Sequence, residues 1–281
     1  MNLDQFIEAY KGMGIQGSVF ANAVKTINKM ITWTPDQQET DTEEGQEQPE
    51  NPTDTDHFFK RRCKIYLGFS SFMGTSGTRD IIKYLCEHRM VEVLVTTAGA
   101  LEEDLIKCFG DYISGSFDAT LDKKLLDEGY ERQGNIYIPK DLQQRFKEWL
   151  KLQLRAIHVW QEEQAGNRVT HTLIARRLGA AIENESSVFF QAARNDIPVF
   201  VPTLTDGFIG EVLYEYNKEN PGLRIDVARD IVRMNQSPKL ALKTGVIVLG
   251  GGVAKHHVMN ANRHRGGADY TVRIGLSKLI Y

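Results

Sequence analysis

The sequence predicts an α/β fold built on a doubly wound, mostly parallel, Rossmann-like sheet, and three observations carry that expectation. Apolar runs at residues 65–69, 91–95, 197–201 and 246–249 are separated by stretches with helical spacing. That alternation builds a parallel sheet with helices on both faces. The runs are continuously apolar, as suits strands covered on both sides. Each also ends in small, hydroxyl, glycine or acidic residues, so four strands would share one polar rim at their carboxyl ends, where such sheets bind ligands.

Taken in order, Val19, Phe20, Val24, Ile27 and Ile31 recur at helical spacing and predict an amphipathic helix within residues 1–33. Residues 34–57 then change character. Asp36, Glu39, Asp41, Glu43, Glu44, Glu47, Glu50, Asp54 and Asp56 appear there with no Lys or Arg and almost nothing apolar. Such a segment buries too little surface to order itself and is expected to be a flexible acidic insertion. Residues 58–281 then read as one α/β domain.

The first strand, 65–69, runs into Ser70-Ser71-Phe72-Met73-Gly74-Thr75-Ser76-Gly77, and Ile81, Ile82 and Leu85 suit the helix that follows. The second strand delivers Thr96-Thr97-Ala98-Gly99 and then Glu102, Glu103 and Asp104. Carboxylates at a helix start serve the helix dipole or bind a ribose or an amine, and both readings stand. Residues 141–164 predict a long helix with Trp149, Leu152 and Trp160 packing on the sheet. His158 and His171 hold ordinary places in helical pattern. Further helices are expected at 171–182, 187–193 and 226–235. The strand at 197–201 ends in Thr203-Leu204-Thr205-Asp206-Gly207, with Glu211 beyond. The strand at 246–249 ends in Gly250-Gly251-Gly252, and Lys255-His256-His257 would sit in the first turn of the next helix. A last strand closes near Ile274.

Composition bounds the function. The 281 residues are 41% hydrophobic and 25% charged, an ordinary globular chain. A net charge of −3 gives no hint of nucleic acid or of an anionic membrane surface. Cys63, Cys86 and Cys108 lack C-x-x-C spacing, so neither a disulfide framework nor a metal site is expected. No run is long enough to cross a bilayer and no apolar leader opens the chain, so a cytoplasmic location is expected. There is no G-x-G-x-x-G, so any dinucleotide would occupy a variant crevice. On these residues alone the chain reads as an enzyme or binding protein for a dinucleotide and a cationic small molecule. Glu102, Glu103, Asp206 and Glu211 would suit a polyamine, and His256 would take a proton.

Several separated motifs, in order, resemble the deoxyhypusine synthase family. They are Val95-Thr96-Thr97-Ala98-Gly99 with Glu102 to Lys107, Leu204-Thr205-Asp206-Gly207, Asn220-Pro221-Gly222-Leu223, Leu249 to Val253 with Lys255-His256-His257, Asn260-Ala261-Asn262, and Gly267-Ala268-Asp269-Tyr270. The resemblance implies NAD as cofactor and spermidine as substrate, whose aminobutyl group passes through an enzyme lysine to a lysine of a translation factor precursor. It implies that Ser71, Phe72, Met73, Gly74, Thr75, Thr97, Ala98, Gly99, Glu103, Asp206 and Gly251 line the cofactor. Glu102, Glu103, Glu211 and His256 would face the polyamine, with His256 as the base that deprotonates the amine. Glu211 stands where the family usually has Asp, which moves that carboxylate by one methylene.

The family's nucleophilic lysine lies in a Glu-Ala-Val-Ser-Trp-Gly-Lys motif after its last strand. Here the strand runs on as Ile274-Gly275-Leu276-Ser277-Lys278, and no tryptophan follows Trp160. Lys278 lacks the Trp-Gly context and a desolvated pocket, which a Schiff-base lysine needs. The expected role is therefore a transferase-family subunit inactive alone, which activates a complete paralogue in a hetero-oligomer, as a tetramer. The alternatives are an active enzyme represented by a truncated chain, or an NAD-binding protein with no part in hypusine formation.

Overall fold

The computed structural model describes residues 2–35, 62–163 and 168–275. The acidic insertion expected at 34–57 lies outside them except for Thr34 and Pro35, as does Lys278.

Five parallel strands form the central sheet: β1 (Lys64–Phe69), β2 (Val93–Val95), β6 (Val199–Phe200), β7 (Thr244–Leu249) and β8 (Tyr270–Ile274). Their order is β6-β2-β1-β7-β8. The chain winds outward from β1 through β2 to β6, then returns to β7 on the other side of β1. The direction of winding thus reverses between β1 and β7, the place where doubly wound sheets open a ligand crevice. The expected fold class is the observed one.

Alternate residues of the strands feed two cores. Ile65, Leu67, Phe69 and Leu94 pack on one face, under α4 (Thr78–Glu87), α5 (Ala98–Ile106), α7 (Lys140–Glu163), α8 (His171–Ala181) and α9 (Val188–Arg194). Tyr66, Val93, Val95, Phe200, Val246 and Val248 pack on the other, under α11 (Val227–Gln236) and α12 (Gly252–Arg263). Burial on both faces explains why the strands read as unbroken apolar runs.

Two features differ from expectation. The N-terminal helix exists as α2 (Ile15–Thr32), preceded by α1 (Leu3–Tyr10), but its apolar stripe is not its buried face. Ala21 and Met30 are buried, whereas Val19, Phe20 and Ile31 are about half exposed or more. Only Ile27 of the expected stripe packs on the core, because α2 reaches the sheet edge-on against β7 and β8. The second feature is a small antiparallel sheet, β3-β5-β4, made of β3 (Ile113–Ser114), β4 (Tyr130–Gln133) and β5 (Ile136–Pro139). Its strands are too short to signal themselves, and β4, Tyr-Glu-Arg-Gln, is also polar.

The remaining helices are α3 (Phe72–Thr75), α6 (Asp122–Asp127) and α10 (Phe208–Glu219). Within the described residues no helix is long and apolar enough to cross a membrane, and no group of His, Cys, Asp or Glu could hold a metal ion.

Candidate active site

The carboxyl ends of β1, β2, β6 and β7 meet in direct contact. The Ser71 and Thr97 hydroxyls, one after β1 and one after β2, hydrogen-bond at 2.7 Å. A Cβ added to Gly99 would lie 2.6 Å from Ser71 Oγ, so the α5 entrance closes on that pair. After β7, Gly250 takes φ +91° and its missing Cβ would fall 2.9 Å from Ser70 Oγ. That approach joins the β1 and β7 loops at the switch point. Gly74 meets the Ala100 backbone in the same way, at 2.9 Å.

Beyond Gly250 the surface opens. A Cβ at Gly252 would meet nothing within 4 Å, and at Gly251 only Arg273 Nη2, at 4.0 Å. Among the described residues no side chain caps the N-terminus of α12, which suits it to an anion. An open glycine cradle, uncapped N–H groups and the Ser71–Thr97 hydroxyls fit the pyrophosphate and ribose of a dinucleotide. His256 and His257 are the fifth and sixth residues of α12, just past the first turn where they were expected, because the helix begins at the third glycine itself. His256 is exposed. His257 turns inward beside Phe200, and its Nε2 is buried without a partner among the described residues. Burial, with His171 nearby, pushes its pKa down and keeps it neutral.

The acidic side is built differently. Glu102, Glu103 and Asp104 are consecutive on α5 and all are buried. Glu102 accepts the Ile209 N–H at 3.0 Å and so caps α10. Gly207, at φ +151°, leaves room for it, since a Cβ there would lie 2.7 Å from Glu102 Oε1. Burial, opposed by these N–H groups and reinforced by Glu103 and Glu211, raises the Glu102 pKa to about 7. Glu103 accepts the Tyr112 O–H at 2.6 Å and a Gln133 N–H at 2.8 Å. Its pKa is also raised by burial. Asp104 belongs to the structure: it pairs with Arg79 at 2.7 Å, accepts the Ser187 hydroxyl at 2.5 Å, and takes the Val188 N–H at 3.0 Å at the start of α9.

Asp206 and Glu211 lie exposed on the turn into α10 and in its first turn. Among the described residues no Lys or Arg forms an ion pair with Glu102, Glu103, Asp206 or Glu211, in contrast to Asp104. The helix-start reading of the acidic pair does not hold: neither glutamate lies in the first turn of α5, and Glu102 instead caps α10. Of the other expected residues, Phe72 is exposed and Met73 half-buried on α3, while Thr75 and Ala98 are buried. His158 and His171 are internal: His158 Nδ1 meets the Tyr216 hydroxyl at 3.2 Å, and His171 Nδ1 lies 3.1 Å from Asp230. Tyr112 and Gln133 escaped the sequence reading, because an isolated Tyr and Gln in a polar stretch carry no motif.

Comparison with known proteins agrees with this geometry. The deoxyhypusine synthase family model matches residues 5–278. A deoxyhypusine synthase of Senecio vernalis is 41% identical over 282 residues, covering 99% of this chain and 74% of that protein. Homospermidine synthase 2 of the same plant is 37% identical, covering 98% of this chain and 73% of its own length. A crystal structure assigned as a deoxyhypusine synthase of Entamoeba histolytica superposes with a TM-score of 0.72 at 38% identity, covering 97% of this chain and 84% of that one. The motifs at the carboxyl ends of the parallel strands and the match along nearly the whole sequence lead to one conclusion: the chain belongs to the deoxyhypusine synthase family.

Proposed function

We propose that the chain is a deoxyhypusine synthase subunit, acting with NAD and spermidine in the transfer of an aminobutyl group to a lysine of a translation factor precursor. The observation that carries this reading is the row of carboxylates, Glu102, Glu103, Asp206 and Glu211, that have no ion-paired Lys or Arg among the described residues. Carboxyls whose pKa values are raised by burial become ionised when a cation arrives, so a polyamine is the ligand that completes them. Ser71, Phe72, Met73, Gly74, Thr75, Thr97, Ala98, Gly99, Glu103, Asp206 and Gly251 would hold the cofactor. Bound NAD would supply a hydride acceptor. Glu102, Glu103 and Glu211 would bind the amines, and exposed His256 would take the amine proton.

We further propose that this subunit works with a complete paralogue in the cytoplasm, in a mixed tetramer, and raises that paralogue's activity without forming the enzyme imine itself. Surfaces suited to a partner are present: β8 is a sheet edge, and Val227, Ile231 and Val232 leave an apolar face on α11 about half exposed. The test is deoxyhypusine formation by the co-purified pair against the complete enzyme alone, at equal concentration of active subunit. A higher rate for the pair is expected, together with no borohydride-trapped aminobutyl adduct on this chain. Equal rates, or chains that do not co-elute, would remove the regulatory role. An adduct on this chain would make it an active enzyme.

A further inference from the structure

We propose that Gln133 and Tyr112 form a two-point clamp that positions the Glu103 carboxylate and thereby sets how tightly the rim takes a polycationic amine. The proposal rests on the polyamine reading above and adds to it two residues from outside the parallel sheet.

Each oxygen of the carboxylate has one neutral donor: Gln133 Nε2 at 2.8 Å from Oε1 and the Tyr112 hydroxyl at 2.6 Å from Oε2. The partners fix the orientation of the Gln133 amide. A carboxylate only accepts, so it faces Nε2, while the Thr75 hydroxyl donates to Gln133 Oε1 at 3.1 Å. Thr75 is held in turn, since its carbonyl accepts from Lys107 Nζ. One hydrogen-bonded chain thus runs from α3 through the hairpin to α5.

The hairpin gives Gln133 its place. Gly134, at φ +64°, opens a two-residue turn with Asn135 that sets Gln133 opposite Ile136. The neighbouring Arg132 is braced by Asp122, with Nη2 at 3.0 Å from Oδ2. Gln133 is therefore held by strand register and not by a loose loop.

Neutral donors stabilise a carboxylate without cancelling its charge. Asp104 shows the contrast: its charge is met by Arg79. Glu103 keeps its negative charge for a ligand. The charged and titratable groups facing it are Lys107 and Glu102 on its own helix, Glu131 on β4, and Tyr112. Burial raises its pKa, and the hydrogen bonds from Tyr112 and Gln133 pull it back down. Without one donor the carboxyl holds its proton more readily, and a bound amine loses its counter-charge.

The test uses the full chain with NAD present and reads spermidine affinity by calorimetry. Gln133→Met should weaken binding about tenfold at neutral pH, the size expected for one hydrogen bond to a charged group. The loss should shrink as the pH is raised, because alkali ionises the carboxyl again. In a Glu103→Gln background, Gln133→Met should change the affinity little, whereas a merely structural role would give the same loss with or without the carboxylate. Carboxyl-carbon NMR titration gives a second reading that needs no polyamine: in Gln133→Met and in Tyr112→Phe the Glu103 midpoint should move to higher pH. An unmoved midpoint in both variants overturns the clamp. Equal losses in the presence and absence of Glu103 overturn its role in affinity. A wild-type chain that ignores spermidine overturns the polyamine reading and the affinity claim with it, while the titration still decides the clamp.

Discussion

Two helix N-termini face the same rim and are treated in opposite ways. That of α10 is entered through Gly207 and filled by Glu102, whose carboxylate takes the Ile209 N–H. That of α12 is entered through Gly250, Gly251 and Gly252 and has no side-chain cap. Both have positive dipole ends. One is satisfied from within the protein and the other left for something that arrives. The difference matches the placement proposed above: an anion at α12, and a cation beside the carboxylates that gather around α10 and α5. The structural carboxylate next to them, Asp104, gives the scale of a charge that is already paired.

The largest expected effect separates Asp104 from its two neighbours. Asp104 binds Arg79, Ser187 and the first N–H groups of α9 while 1% exposed. Asp104→Ala leaves Arg79 buried without a counter-charge, so it should cost about 3–5 kcal/mol of stability. Thermal unfolding would read this as a fall of about 10 °C in Tm. A change under about 1 kcal/mol would mean that Asp104 is no more structural than the glutamates beside it.

Next comes the pH dependence of Glu102. Its folded pKa of about 7 lies above the ordinary 4.5, so folding favours the protonated carboxyl. The stabilisation is present in full below the unfolded value and is lost as pH climbs through about 7. The gap corresponds to about 3 kcal/mol across that window. Glu102→Gln should therefore match wild type near pH 5 and exceed it near pH 8, since the amide oxygen still accepts from Ile209. Denaturant melts of both proteins over that range check it, and parallel curves would show that the cap carries no desolvated charge. Saturating spermidine should shrink the same difference by supplying the missing cation.

On the open side the effects are smaller. Gly250→Ala puts a side chain at φ +91° and 2.9 Å from Ser70 Oγ. The strain should cost about 2 kcal/mol. At Gly252, where nothing lies within 4 Å, only the φ of +69° opposes a side chain, so Gly252→Ala should cost about 1 kcal/mol. NAD should stabilise the wild type by about 2.7 kcal/mol at a hundredfold excess over its dissociation constant. Both alanine variants should lose much of that gain, because the cradle is where the backbone would meet the pyrophosphate.

How far the sequence carried this picture follows from what kind of signal each part leaves. The parallel strands were legible because burial on both faces forces continuous apolar runs such as Ile247-Val248-Leu249, and the rim was legible because those runs stop at Ser70, Thr96 and Gly250. The face of α2 was not legible. Periodicity shows that Val19, Phe20 and Ile31 share a stripe, but not whether that stripe meets the sheet or the outside. The allegiance of the acidic triplet was hidden as well. Only the fold shows that Glu102 caps α10 more than a hundred residues away, that Asp104 caps α9, and that Glu103 is held by Gln133 from a strand too short and polar to predict.

The smallest stability effect carries the sharpest functional contrast, between the adjacent His256 and His257. His257 is packed beside Phe200 with a buried Nε2, whereas His256 is exposed on the same turn of α12. A side chain in water makes few contacts that unfolding would break, so His256→Ala should change stability by less than about 0.5 kcal/mol. His257→Ala removes a packed ring and should cost about 2 kcal/mol. On the regulatory reading proposed above, loss of the His256 imidazole should leave deoxyhypusine formation by the co-purified pair unchanged. His257→Ala should lower that activity in step with folded protein, since it loosens the helix that frames the cofactor cradle. Melting temperatures of the two variants, paired with rates normalised to folded subunit, make the comparison. A large loss of activity from His256→Ala in a fully folded complex would place its imidazole in a working site, and this chain would then share the chemistry of its partner.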